Sequence, residues 1–170
     1  MTFEEFAAAR LAGLLRFAAV LTGDHGVAED VVQEVLLRAN GRWQQISRME
    51  RPDAYVRTMI VNEFLSWRRR SWRLVPSGTG ADMACGVISD HAADYAERDA
   101  ILAELARLPR RQRTVLVLRY YEGLPDPQIA VILGCKPGTV RAYAARALAA
   151  LRVELAPPQL PAPVVIEEGT

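Results

Sequence analysis

The chain has 170 residues, of which 51% are hydrophobic, and its formal net charge is +1. This length fits one ordinary domain or two small ones. We expect a cytoplasmic protein, because no apolar run approaches membrane-spanning length and residues 3–6 are acidic where a secretory signal would be basic. The two cysteines, Cys85 and Cys135, are far apart, which favours reduced thiols over a disulfide framework and predicts no metal site.

Residues 1–73 predict a first helical module. Apolar residues at spacings of three and four predict an amphipathic helix over residues 3–21. After a break at residues 22–26, Asp24 is a candidate N-cap for a second helix, whose buried stripe begins at Ala28. The opposite face of that helix is polar, and by itself such a face is most simply a solvated surface. It carries Glu29, Asp30, Gln33, Glu34 and Arg38.

A polar loop over residues 46–52, with Arg48 and Arg51, precedes a long helix that Pro52 opens. The helix ends in residues 66–73, Ser-Trp-Arg-Arg-Arg-Ser-Trp-Arg. Four arginines interleaved with two tryptophans favour nucleic-acid binding, since arginine suits phosphate and tryptophan suits unstacked bases. The alternative is a basic helix end that stabilises the helix dipole, with the tryptophans in the core.

Residues 74–96 predict an acidic, flexible linker between two domains. They contain Pro-Ser-Gly-Thr-Gly, three aspartates and no lysine or arginine. On either side, residues 1–73 hold 11 arginines against 9 acidic residues, and residues 97–156 hold 10 basic against 6 acidic residues. Two basic modules suit two nucleic-acid-facing surfaces, although scattered surface charge would give the same counts.

Residues 97–156 predict a second helical module, with one helix from about Glu97 to Pro109 and another from Arg110 to about Tyr121. No strand pattern occurs, so the predicted fold class is all-α: two small helical domains joined by a flexible linker. The proline-rich residues 157–170 predict a disordered tail.

Residues 126–151 predict a helix-turn-helix. Asp126 is a candidate N-cap with Pro127 at the first helical position, Gly134 suits a positive φ at the turn, and Pro137 restarts the chain as a helix. The apolar stripe of the second helix comprises Val140, Ala144, Ala147, Leu148 and Leu151. Its other face carries cations and a hydroxyl suited to phosphate and guanine, unless the hairpin merely exposes a solvated basic face. These polar residues are Lys136, Thr139, Arg141 and Arg146.

Several of these stretches, in this order, resemble a bacterial sigma factor of the extracytoplasmic-function group of the sigma-70 family, closest to the short actinobacterial SigE-like proteins. Residues 28–38, Ala-Glu-Asp-Val-Val-Gln-Glu-Val-Leu-Leu-Arg, resemble the helix that docks on the polymerase clamp. Residues 55–62, Tyr-Val-Arg-Thr-Met-Ile-Val-Asn, with Trp-Arg-Arg-Arg at 67–70, resemble the helix that opens and reads the −10 element. Residues 108–113, Leu-Pro-Arg-Arg-Gln-Arg, and the hairpin resemble the −35-binding domain.

The resemblance implies three sets of site residues. Contact with the polymerase clamp falls on Asp30, Gln33, Glu34, Leu37 and Arg38. The residues implied to bind the −10 element are Arg48 and Arg51 in a base-capturing loop, Arg57 and Asn62 near the melted strand, and Trp67, Arg68, Arg69 and Arg70. The −35 element falls on Lys136, Gly138, Thr139, Arg141, Ala142, Ala145 and Arg146.

The implied function is transcription initiation: the chain would bind core RNA polymerase, through its β′ clamp and β flap, and direct it to promoter DNA. Many relatives are held by an anti-sigma protein, and the sequence leaves open whether this chain has such a partner. No enzyme, cofactor or metal is expected, because His25 and His91 are isolated. The alternative function is a conventional helix-turn-helix regulator of duplex DNA, against which the clamp-like stripe and the Trp/Arg helix argue.

Overall fold

The structure is a computed structural model that describes the backbone of residues 1–71 and 92–154, and the side chains of residues 1–66 and 100–151. All regular elements in these ranges are helical, which confirms the all-α class. In chain order they are α1 (Phe3–Thr22), α2 (His25–Asn40), α3 (Trp43–Ile46), α4 (Pro52–Ser71), α5 (Ala92–Arg107), α6 (Arg110–Leu116), a π-helical turn (Val117–Tyr121), α7 (Asp126–Leu133) and α8 (Pro137–Glu154).

Helices α1 to α4 form the N-terminal bundle. The Asp24 carboxylate accepts a hydrogen bond from the Val27 N–H at 2.8 Å, which confirms the predicted cap of α2. The predicted loop starts one residue later than expected, because Ile46 is the last residue of α3 and is buried. The core of the bundle lies between α1, α2 and α4 and includes Phe6, Leu14, Phe17, Val31, Val35, Val56 and Ile60.

Helices α5 to α8 form the C-terminal bundle, and α7 and α8 are the predicted helix-turn-helix. Gly134 ends α7 with a φ of 61°, the left-handed conformation expected at this turn. Val140, Ala144 and Ala147 of α8 are buried, as the stripe predicts. Helix α5 begins at Ala92, earlier than the predicted Glu97.

The predicted capping role of Asp126 is wrong. The N-cap of α7 is Pro125, which makes no side-chain cap, and Asp126 is already the first helical residue. Its carboxylate instead accepts a hydrogen bond from Nε of Arg119 at 3.1 Å. The guanidinium of Arg119, in the π-helical turn before α7, is a stronger, charge-assisted donor than a backbone N–H, and it draws the carboxylate away from the helix end. This hydrogen bond is also the main cause that raises the pKa of Arg119.

The two bundles contact each other along α1 and α4 on one side and α5, α6 and Glu122 on the other, a region that we call the bundle junction. Gly23 makes the close approach possible: its φ is 75°, and a Cβ there would lie 2.7 Å from the Cβ of Ala106. A larger residue at position 23 would therefore clash with α5 as well as strain the backbone.

Four sequence predictions fall outside the described residues. They concern the tail (157–170), Cys85, His91 and most of the linker (74–96). Among the described helices, none combines the length and the apolar character that crossing a membrane requires.

Candidate nucleic-acid interface

The first candidate surface is the exposed side of α8. Lys136, Gly138, Arg141, Ala145 and Arg146 are exposed, and Thr139 and Ala142 are half-buried. The residues between them, Val140 and Ala144, are buried against α7 and α6. The predicted set therefore lies on one side of the helix, as a surface for a DNA groove requires.

The cations of this surface are available. Among the residues whose side chains are described, no carboxylate pairs with Lys136, Arg141 or Arg146. A Cβ built at Gly138 would lie 3.8 Å from an Nη atom of Arg141, so this guanidinium lies beside the N-terminal turn of α8. The positive end of the helix dipole adds to the attraction for phosphate there.

The second candidate surface lies on α4 and the loop before it, and its predicted residues do not all share one face. Arg48, Arg51 and Asn62 are exposed, in agreement with a role in strand binding. Arg57 and Asn62 are five residues apart on one helix, which places them about 140° apart around its axis. The helix therefore does not bring these two predicted residues onto one face. Trp67, Arg68, Arg69 and Arg70 lie in α4, but their side chains are outside the described set.

Arg57 lies on the side of α4 that meets the C-terminal bundle. Its Nη1 donates a hydrogen bond to Oε2 of Glu122 at 2.9 Å and lies 3.8 Å from Oδ2 of Asp53. Its Nε is buried and has no hydrogen-bond partner among the described residues. Arg57 is thus paired with acid before any DNA is present, unlike the cations of α8.

The third candidate surface is the stripe on α2 with Asp30, Gln33 and Leu37. All three are exposed at spacings of three and four, and the Leu37 side chain is an exposed hydrophobic residue (65%). Beside the stripe runs an apolar groove of about 290 Å³ between α1 and α2, to which Gln33 and Leu37 contribute. The groove is lined by Phe3, Ala7, Leu11, Glu29, Val32, Gln33, Leu36, Leu37 and Asn40.

Glu34 and Arg38 of the same predicted set have intramolecular partners. Nε of Arg38 lies 3.4 Å from Oε1 of Glu34, and its Nη2 donates to the carboxylate of Glu63 on α4. Glu63 is only 3% exposed, so this pair ties α2 to α4 and fixes the orientation of the stripe. A charged residue at a core-facing position of α4 was a signal in the sequence that Glu63 has a structural partner.

The sequence prediction missed the role of Arg113, the most buried arginine described (6% exposed). Its Nη1 donates to the carbonyl oxygens of Leu21 at 3.2 Å and Thr22 at 2.7 Å, and its Nη2 donates to those of Ala106 and Leu108. Burial, and secondly the charge of the nearby Arg110, lower the pKa of Arg113. It remains cationic, because the ordinary pKa of arginine is far above neutrality. No residue type in the sequence marks these carbonyl acceptors.

The described residues hold no cluster of three or more histidine, cysteine, aspartate or glutamate side chains that could bind a metal ion.

Comparison with known proteins gives two matches in chain order. Residues 7–74 match the family described as Sigma-70 region 2, and residues 98–151 match the family described as Sigma-70, region 4. The RNA polymerase sigma-E factor of Streptomyces avermitilis is 36% identical over 156 residues, which cover 91% of this chain and 86% of that protein. The ECF RNA polymerase sigma factor SigL of Mycobacterium tuberculosis is 37% identical over 147 residues, which cover 84% of this chain and 82% of that protein.

Solved structures show the same fold. The sigma factor RpoE from Bartonella quintana, solved in complex with the anti-sigma factor NepR, matches with a TM-score of 0.65 at 26% identity, over 91% of this chain and 96% of that chain. CnrH, solved in complex with the cytosolic domain of CnrY, matches with a TM-score of 0.58 at 22% identity, over 91% and 87% of the two chains. This second likeness concerns the fold alone.

Proposed function

Since this chain belongs to the sigma-70 family, as an extracytoplasmic-function sigma factor, we propose how its surfaces divide the work of promoter recognition. Sigma factors direct RNA polymerase in transcription initiation, and that is the function of this chain. The family is non-enzymatic, and we assign no catalytic residue here. The conventional regulator is not favoured, because residues 7–74 match a sigma region rather than an effector domain.

Helix α8 would read the −35 element as duplex DNA in the major groove. Arg141 and Arg146 can each bind guanine through N7 and O6, whereas Ala142 and Ala145 offer only methyl contact, for instance with thymine. Lys136, Gly138 and Thr139 would hold phosphate at the start of the helix. The single observation that carries this proposal is that all seven predicted positions are exposed or half-buried, while Val140 and Ala144 between them are buried.

The N-terminal bundle would bind the −10 element as a melted strand. Arg48 and Arg51 project from the loop that would receive an extruded base, and base extrusion costs a few kcal/mol that pocket contacts must offset. Asn62 is accessible on α4 for the same strand. Arg57 would join this surface from the neighbouring face once its present partner is displaced, and residues 67–70 would hold the duplex upstream.

The α2 stripe would dock on the β′ clamp of core polymerase. Its three exposed residues supply an acid, an amide and an apolar contact, and the groove beside Leu37 continues the apolar part of the surface. Glu34 and Arg38 would act chiefly by holding the stripe in place, since both are paired. The C-terminal bundle would meet the β flap.

We further propose the domain limits 1–73 and 97–156, with residues 74–96 as the linker and 157–170 as a tail. An anti-sigma protein is a proposed partner, because the sigma factor RpoE from Bartonella quintana was solved in complex with an anti-sigma factor. A cytoplasmic location follows from the proposed partnership with RNA polymerase.

The proposed function is tested by run-off transcription with purified core RNA polymerase on a promoter library from the organism's own genome. We expect new, promoter-dependent transcripts when the protein is added, and alignment of their start sites would give both promoter elements. The matched pair of variants is Arg146→Ala, on the α8 surface, and Arg107→Ala, an exposed arginine of α5 outside it. Equal transcript levels with and without the wild-type protein would contradict the proposal.

A further inference from the structure

The bundle junction is held by directional contacts, not only by apolar packing. From the C-terminal bundle, Nη1 of Arg110 donates to the carbonyl oxygen of Phe64 at 2.9 Å, and its guanidinium lies 5.0 Å from the centre of the Phe64 ring. Arg113 donates to the two carbonyls at the end of α1 described above. In the other direction, Arg57 of the N-terminal bundle donates to Glu122.

Arg113 completes the end of α1. The last turn of α1 contains no basic residue, although a cation there would stabilise the exposed carbonyls and the negative end of the helix dipole. The guanidinium of Arg113 supplies this charge from the other bundle. The junction therefore satisfies polar groups that would otherwise require water, which indicates a specific arrangement of the two bundles.

The Arg57–Glu122 contact differs from the others because one partner belongs to a proposed DNA surface. Both side chains are mostly buried, with 27% of Arg57 and 13% of Glu122 exposed. A carboxylate and a phosphate are interchangeable acceptors for a guanidinium, which binds either through parallel N–H groups. Glu122 therefore occupies Arg57 with the same chemistry that a DNA backbone would offer.

We propose that the free chain is held closed by the bundle junction, in which the Glu122 carboxylate takes the place of a −10 strand phosphate on Arg57. Closure and strand binding by Arg57 then exclude each other, and opening of the junction is part of promoter recognition. This inference rests on the proposed assignment of Arg57 to the −10 strand.

The state of Arg57 suits exchange of its partner. Its buried Nε makes no hydrogen bond among the described residues, so the closed state leaves part of the guanidinium unsatisfied. Exchange of one acceptor for another also keeps the guanidinium paired, whereas loss of the carboxylate without a replacement leaves a mostly buried charge unpaired. Both features lower the cost of replacing Glu122 by a phosphate, which can accept more hydrogen bonds.

An open cleft gives access to the pair. It has a volume of about 370 Å³ and lies between the bundles, with Arg51, Arg57 and Thr58 on one side and Gln128 and Ile132 on the other. A strand held by Arg51 would thus begin next to Arg57. The structure offers two routes, insertion into the cleft without opening or displacement of Glu122, and the proposal commits to displacement.

The key variant is Glu122→Gln, which removes the charge of the partner but keeps its shape. Its matched control is Glu104→Gln, because Glu104 pairs with Arg107 inside the C-terminal bundle at 3.3 Å and does not cross the junction. Fluorescent labels on Gln44→Cys and Ala149→Cys, both at exposed positions of opposite bundles, would report their separation in a background without Cys85 and Cys135. The second readout is affinity for a single-stranded −10 oligonucleotide taken from promoters mapped by run-off transcription.

We expect Glu122→Gln to increase the mean separation of the labels and to raise strand affinity by about tenfold, since affinity of a partly closed protein is reduced by its open fraction. The control should change neither. The charge-exchanged double variant Arg57→Glu/Glu122→Arg restores an ion pair across the junction, so its label separation should be that of the wild-type chain. It should not show the gain in strand affinity of Glu122→Gln, because position 57 no longer carries a cation.

An unchanged separation in Glu122→Gln would overturn the closure. A larger separation without a gain in strand affinity would overturn the competition at Arg57. The assignment of Arg57 itself is tested separately by transcription with the Arg57→Ala holoenzyme: normal transcription would refute the assignment while leaving closure to be judged from the separation.

Discussion

The two surfaces proposed to bind DNA in this sigma factor carry the same residue type in opposite situations. On α8, Arg141 and Arg146 are exposed and have no acidic partner among the described residues. On α4, Arg57 lies between Asp53 and Glu122 and faces the other bundle. The difference arises from which side of each helix the rest of the fold covers: α8 buries its small apolar side and leaves the cations in solvent, whereas α4 packs against neighbours on two sides.

An arginine at a position that suits DNA binding is therefore not by itself available to DNA, because the fold can pair it with an acidic residue. Both proposed surfaces suit nucleic acid by composition, yet Arg57 is paired with acid, whereas the cations proposed to bind the −35 element are unpaired with acid among the described residues. A duplex could be met by α8 without rearrangement, while full contact with the −10 strand would require the junction to change.

The bundle junction, which covers Arg57, is most sharply tested at Arg113. Replacement by alanine removes a charged donor from four carbonyl acceptors in a buried place, and we expect it to lower the free energy of unfolding by about 2–4 kcal/mol. Urea denaturation followed by circular dichroism measures this change. The matched control is Arg111→Ala, an exposed arginine of the same helix with one long hydrogen bond of 3.4 Å, for which about 0.5 kcal/mol or less is expected. If both variants lose the same free energy of unfolding, the claim that Arg113 stabilises the junction is refuted.

The exposed surface of α8 is tested at Arg141 and Arg146. Replacing either by alanine should weaken binding to a −35 duplex by about 1–3 kcal/mol if the side chain makes a bidentate base contact. Binding to the −10 strand should not change, because α8 does not contribute to that surface. Fluorescence anisotropy with duplexes from mapped promoters gives the affinities, and Arg107→Ala is the control. Unchanged duplex binding by both variants would rule out α8 as the reading helix.

The α2 stripe proposed to bind polymerase lies away from the junction. Changes in this stripe should therefore alter polymerase affinity without altering closure. Replacing Asp30 and Gln33 together by alanine should reduce affinity for core polymerase by about 1–2 kcal/mol, in the range of ordinary interface residues. Arg16→Ala, an exposed change on α1 outside the stripe, should have no effect. Pull-down titration with core polymerase measures the loss. A wild-type affinity with an unchanged circular dichroism spectrum would refute the assignment.

The smallest expected effect concerns the start of the helix-turn-helix. A serine at this first helical position is too short to reach Arg119, so Asp126→Ser removes the ion pair and keeps a polar side chain at the start of α7. Loss of the half-buried pair should reduce stability by about 0.5–1.5 kcal/mol. Thermal or urea unfolding of Asp126→Ser, Arg119→Gln and the double variant gives the coupling between the two positions. Full additivity of the single changes would show that the pair does not act in solution.

The parts of the fold that were predicted from sequence depend on neighbours close in the chain. Periodic apolar residues gave the stripe of α8, the spacing of Gly134 and Pro137 gave the turn, and Asp24 capped α2 as expected. Asp126 was mispredicted because two local partners competed for one carboxylate, and residue type alone does not decide between a backbone N–H and Arg119.

The junction could not be predicted in this way. Arg57 and Glu122 are far apart in the chain, and the acceptors of Arg113 are backbone carbonyls that every residue possesses. The π-helical turn that precedes Glu122 likewise has no signature in its residues, Val-Leu-Arg-Tyr-Tyr. The sequence therefore predicts which side chains could bind DNA, whereas only the packing of the bundles shows which of them already have an acidic partner.

The most direct test of this contrast is the rate at which an arginine-specific dicarbonyl reagent modifies each guanidinium of the free protein, followed residue by residue with mass spectrometry. Arg141 and Arg146 should react at the rate of exposed arginines, and Arg57 should react several times more slowly. Glu122→Gln should bring the rate at Arg57 towards that at Arg146, without changing the rates on α8. If Arg57 of the wild-type chain reacts as fast as Arg146, the two surfaces are equally available and the account of a closed chain is contradicted.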